Sequence, residues 1–171
     1  TIEADVKRIT NAIPSQKISW FVVESDSSDR TLSVLASLKE EIPNFRYVGQ
    51  GALAKRMPSR VERISFCRNV YIKEINENPL YRSIDYVIVA DLDGLNNYIS
   101  KGSFLTCQVR SDWDVCCANQ TEGYYDLYAL RHELWNPCDC FLQRDFINQY
   151  RHPQIKKSVI EKALITSKFI K

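Results

Sequence analysis

Apolar residues recur at helical spacing at Val6, Ile9 and Ile13 within "EADVKRITNAI" (3–13), and Pro14 ends the run, which predicts a short amphipathic helix. "KISWFVV" (17–23) is a continuous stretch of β-formers that stops at the polar cluster "ESDSSD", so it reads as a strand followed by a loop. The helical period resumes in "RTLSVLASLKEEI" through Leu32, Leu35, Leu38 and Ile42, with Ser28 or Asp29 as the expected N-cap. "FRYVG" (45–49) is a second strand. "PSRVERISFCRNVYIKEIN" then sets apolar side chains at 61, 64, 67, 71, 72 and 75 and closes at "NENP", a long amphipathic helix. It feeds "DYVIVADLD" (85–93), the most continuous apolar run in the chain and the expected central strand. Strands alternating with helices predict a mostly parallel α/β sheet with crossover connections.

Beyond Gly94 the texture changes. "SFLTCQV", "WDVCCANQ" and "YYDLYALRH" read as short strands of a small mixed second sheet, and "WNPCDC" as a turn-rich loop. The tail "QIKKSVIEKALITSKFI" is a basic amphipathic helix that closes the core or makes a peripheral contact with an anionic membrane. At 171 residues the chain reads as one domain, with a nucleotide-type half (1–95) and an aromatic-rich half (96–171). A net charge of +2 gives no argument for nucleic acid, and no apolar run reaches the roughly 18 residues of a membrane span. The chain opens at "TIEADVKRI" without an initiator Met or a secretory signal pattern, so residues upstream of Thr1 and a cytoplasmic location are expected. The six cysteines are read as reduced, small buried hydrophobes, because "CC" and "CxC" lack the paired spacing of a structural zinc site.

The candidate chemistry gathers at two acidic strand ends. In open α/β sheets ligands bind beyond the carboxyl ends of the strands, and parallel strands put "ESDSSD" and "DLD" on one edge. Two acidic loops there repel unless a cation or a hydrogen-bonding ligand lies between them. Asp26, Ser28 and Asp29 also suit turn and cap chemistry. Glu24, the first residue off its strand, can accept a hydrogen bond from a nucleobase imide or a ribose hydroxyl. Arg60 and Arg63 lie one turn apart on the long helix and read as a solvated face, with a phosphate-facing stripe as the alternative.

Three elements together resemble one family. "VVESDSSDRT", the "CRN" of residues 67–69 and the pair in "VIVADLDG" (87–94) fall in the order and spacing of nucleotide-sugar glycosyltransferases with the GT-A fold, the family-2-like group, over residues 17–95. The resemblance implies a GT-A (Rossmann-like) sheet flanked by helices. It also implies that Glu24, Asp26 and Arg68 bind the nucleotide-sugar, that Asp91 faces the ribose or a metal-bound water, and that Asp93 is the main ligand of Mn²⁺ or Mg²⁺. A nucleoside diphosphate leaves slowly unless a Lewis acid neutralises its developing charge, and hard oxygen ligands suit those ions. The implied partners are a UDP- or GDP-sugar donor and a glycan or glycolipid acceptor. The block "NQTEGYYDLYALRH" resembles the narrower capsule-type mannosyltransferase-like group.

Two rivals fit the octapeptide "VIVADLDG". A haloacid-dehalogenase-like phosphatase would use Asp91 as nucleophile and Asp93 as acid/base, but the 77 residues after Gly94 contain no apolar strand ending in a further acidic pair. A non-catalytic sugar- or nucleotide-binding module would hold metal without turnover. For glycosyl transfer, a base at the acceptor is sought among Asp112, Asp114, Glu122, Asp126, Glu133, Asp139 and Asp145. Asp126, among aromatic neighbours and matched in "YYD", is the first candidate and Asp139 the second. His132 is a candidate third metal ligand. The sequence departs from the family in showing no strand before the first helix and in carrying Glu24-Ser25 where two aspartates are common.

Overall fold

The computed structural model describes residues 1–15, 17–94, 96–117 and 149. The chain divides into two units, Thr1–Asp112 and Trp113–Lys171. In the second unit the described residues are Trp113 to Cys117, which form no regular element, and Gln149, which is helical.

The first unit is built on one β-α-β step. β1 (Trp20–Glu24) runs parallel to β2 (Phe45–Gly49), with Trp20 opposite Phe45 and Glu24 opposite Gly49. α2 (Thr31–Glu41) makes the crossover between them. α1 (Ile2–Ala12) precedes this step, with the Thr1 hydroxyl accepting from the Ala4 amide, and α3 (Arg60–Glu77) follows it, capped by Ser59. Among the described residues this is a mixed α/β arrangement with a two-stranded parallel sheet and four α-helices.

Alternate residues of a strand face opposite sides, and the packing follows that rule. Val22 of β1 and Phe45 of β2 meet Val6 of α1 and Leu35 and Leu38 of α2 in one buried cluster, with Trp20, Tyr47, Ile42 and Leu92 packed against it. Trp20 is fixed twice, by its ring against Phe45 and by its Nε1 donating to the Thr10 hydroxyl at 3.0 Å. The opposite side carries Phe21 and Arg46. The Arg46 guanidinium lies over the Phe21 ring and pairs with Glu74 of α3, whose carboxylate also accepts from Asn78. α3 contributes no fully buried residue along its 18 positions; alongside this partly exposed ion pair, its Ile64, Val70 and Ile75 are half-buried.

Asn44 turns the chain into β2 at φ 59°, a left-handed conformation Asn tolerates better than most residues. Its carbonyl accepts from the Trp20 amide at 3.0 Å, which starts the parallel ladder.

Three expectations fail here. Residues 85–93 are not a strand: no described strand pairs with them, and Tyr86, Val87, Ile88 and Val89 are exposed at 61, 53, 44 and 63%. A continuous apolar run signals burial, but a strand exists only where a neighbour supplies its ladder, and only Leu92 of this stretch joins the core cluster. "SFLTCQV" is helical: α4 (Lys101–Gln108) forms because Ser100 and Ser103 cap each other reciprocally, and Thr106 and Cys107 both bond back to the Ser103 carbonyl. Of "WDVCCANQ", residues 113–117 are not strand and the remainder lies outside the described residues. "YYDLYALRH", "WNPCDC" and the basic tail also lie outside them. Among the described residues no helix is long and apolar enough to cross a membrane.

Candidate functional site

The carboxyl ends of β1 and β2 open onto the acidic loop. Glu24 ends β1 at only 7% exposure, and its Oε1 accepts from the Ser27 amide at 2.9 Å. Its partner Gly49 is bare, and a Cβ placed there would lie 3.3 Å from Leu32 Cδ2 and 3.5 Å from Glu24 Oε2. A methyl group there would press on the Leu32 side chain and just touch the Glu24 carboxylate.

Asp26 sits at φ 66° and joins the two loops. Its amide donates to the Gly51 carbonyl, its Oδ1 accepts from the Ala54 amide at 2.7 Å, and its Oδ2 lies 3.5 Å from Arg63 Nε. Arg63 also donates from Nη1 to the carbonyls of Met57 and Pro58 at 2.8 and 2.7 Å. Spacing predicts a solvated face for Arg60 and Arg63, but Arg63 is the clasp between α3 and both loops. The signal was present in its spacing, since Arg63, Cys67 and Glu74 recur on one helix face that also meets Ser25 and Arg46. Replacing Asp26 by Ala loses two partners and forces a left-handed alanine, with an expected cost of about 1–2 kcal/mol, whereas Asn should cost less. Urea unfolding of both variants checks this, and equal midpoints for the two would contradict it.

α2 is not capped as expected. Its N-cap is Arg30, without a side-chain bond, and Asp29 instead accepts from the Thr31 amide at 2.9 Å. The Thr31 hydrogen bonds hold the Asp29 carboxyl below its ordinary range. Arg68 is exposed, and among the described residues neither it nor Arg60 makes an ion pair. A shallow open groove of about 460 Å³ runs beside them along α3, lined by Met57, Val61, Glu62, Ser65, Phe66 and Asn69.

The aspartate pair lies on an irregular segment that bends at Asp93 and Gly94. Asp91 and Asp93 are both exposed, on either side of the core-packed Leu92. Gly94 takes φ 92°, which an L side chain rarely adopts. Hydrogen bonds among the described residues hold this segment, including Asn96 Nδ2 to the Asp91 carbonyl at 2.7 Å, Asn97 Nδ2 to the Gly94 carbonyl at 2.9 Å, and the Gly94 amide to Asp5 Oδ2 at 2.8 Å. Asp5, on α1, is 1% exposed, and its Oδ1 pairs with Arg8 at 3.2 Å. Sequence reasoning missed it, because an acidic residue in a helix's first turn reads as a dipole partner.

The structure thus gathers Glu24 and Asp26 on one loop and Asp91 and Asp93 on one segment. Among the described residues no group of three His, Cys, Asp or Glu side chains could hold a metal ion. Two carboxylates on a pinned segment nevertheless fit the hard donor set of Mg²⁺ or Mn²⁺, which take one or two carboxylates and complete their shell with water and substrate phosphates. Asp126, Asp139 and His132 lie outside the described residues. Asp112 is engaged by both Nε and Nη2 of Arg110, which keeps its carboxyl below the usual range and makes it a weak base.

No family model, curated protein or solved structure matches this chain.

Proposed function

We propose that this chain is a metal-dependent glycosyltransferase that moves a sugar from a nucleoside diphosphate to a glycan or lipid-linked acceptor. The observation that supports the reading is that two acidic elements are each tied to one parallel β-α-β core. A nearly buried carboxylate, Glu24, stands at the end of β1, and a segment tied to the same core presents Asp91 and Asp93 to solvent. A finer assignment to the GT-A fold belongs to this proposal.

In this reading Glu24 and the Asp26 loop receive the base and ribose, and Arg68 on α3 offers positive charge to the phosphates. Asp93, together with Asp91, would hold Mn²⁺ or Mg²⁺, and such a cation would supply charge neutralisation at the diphosphate leaving group. Asp126, Asp139 and His132 stay proposals for the base and a further ligand.

The test is thermal stabilisation of the intact chain by UDP, GDP, ADP and CDP, each with and without Mn²⁺. A nucleotide at about 100 times its Kd stabilises by about 2.7 kcal/mol. One diphosphate raising Tm only when Mn²⁺ is present supports the proposal and names the base. No shift with any nucleotide overturns it, while phosphatase activity that disappears in Asp91→Asn would favour the nucleophile chemistry. Metal-dependent binding without hydrolysis or transfer across a broad acceptor panel would mark a binding module.

A further inference from the structure

The geometry points to Asp5 as a positioning residue, one that fixes the aspartate segment through the Gly94 amide and so sets how Asp91 and Asp93 face the cation. This role rests on the glycosyltransferase reading of that segment.

The argument begins with burial. Asp5 is 1% exposed, and a buried carboxylate persists only where its oxygens are satisfied. One oxygen accepts from Arg8, in its own helix, and the other crosses to the Gly94 amide at 2.8 Å. Gly94 directly follows Asp93 and shares its bend, at φ 92°. An acceptor on its amide therefore restrains the peptide that carries the Asp93 carbonyl, and with it the direction of the Asp93 side chain. Leu92 in the core and Asn96 on the Asp91 carbonyl fix the other end of the segment. The two exposed carboxylates thus stand on backbone held from beneath by a buried residue. Groups placed this way around metal ligands commonly change metal affinity by about 10–100-fold when removed.

Two substitutions separate this role from packing. Asp5→Leu keeps a buried side chain of similar length and deletes the acceptor; Asp5→Asn keeps an oxygen that can accept from Gly94. The measurements are amide exchange at Gly94 in metal-free protein, and the Mn²⁺ concentration that half-restores the thermal shift given by the nucleoside diphosphate to which the wild-type chain responds. Asp5→Leu should exchange Gly94 at least about 10-fold faster and raise the Mn²⁺ midpoint by about 10-fold or more, and Asp5→Asn should recover most of both. A midpoint in Asp5→Leu within about twofold of wild type overturns the positioning role alone. A wild-type chain without any Mn²⁺-dependent shift overturns the glycosyltransferase reading and this role with it. Should Asp5→Leu not fold, the wild-type protein still decides the contact: a Gly94 amide exchanging at the unprotected rate overturns the inference.

Discussion

On the proposed function, replacing Asp93 by Asn should lower sugar transfer by roughly 100-fold or more while leaving the fold almost untouched. The side chain is exposed, and surface changes of this kind usually alter stability by no more than about 0.5 kcal/mol. The functional effect is larger because an amide oxygen carries no formal charge and binds a hard divalent cation much more weakly than a carboxylate does. Loss of roughly 100-fold at the chemical step corresponds to about 2.7 kcal/mol of lost transition-state stabilisation. Initial rates of release of the nucleoside diphosphate, measured against Mn²⁺ concentration, would show it, with circular dichroism melts as the control. Turnover equal to wild type at every Mn²⁺ concentration would remove Asp93 from the site. Asp91→Asn should fall in the same direction by a smaller factor, because the resemblance assigns it a face of the ribose or a bound water and not the main ligand position.

The second large effect is on stability. Leu35 is completely buried at the centre of the cluster formed by Val6, Val22, Leu38 and Phe45. Leu35→Ala should cost about 2–5 kcal/mol, the lost transfer energy of the side chain plus a cavity its neighbours close only in part. A typical domain has about 5–15 kcal/mol of stability in total, so one substitution could consume a third of it. Equilibrium urea unfolding reads this directly. Leu32, on the same helix but 42% exposed, should cost well under half as much when cut to Ala, and the contrast tests which side of α2 faces the core.

Local periodicity carried much of the architecture. α1, α2 and α3 lie where the 3.6-residue pattern put them, and β2 occupies Phe45–Gly49, the same five residues. These elements are governed by contacts within a few residues and by one core face, which a sequence displays. Residues 85–93 are different, because apolar continuity says that side chains favour burial and says nothing of which strand will pair with the backbone. α4 departs from the strand its composition predicts because the cap chemistry of Ser100 and Ser103 outweighs the β preference of Phe104 and Thr106. Within the site, the acidic residues announced themselves by type and place. Arg63 and Asp5 did not, since each acts through a partner distant in sequence: Arg63 meets Asp26, and Asp5 meets Gly94.

That last pair has a consequence for the order of folding. The Asp5–Gly94 hydrogen bond spans 89 residues, and closing a flexible loop of that length costs about 4 kcal/mol of chain entropy, several times what one hydrogen bond returns. It can form only after the β-α-β core has already brought α1 and Leu92 together. The segment that carries Asp91 and Asp93 is therefore expected to take its final form late, and only in a chain whose core has assembled.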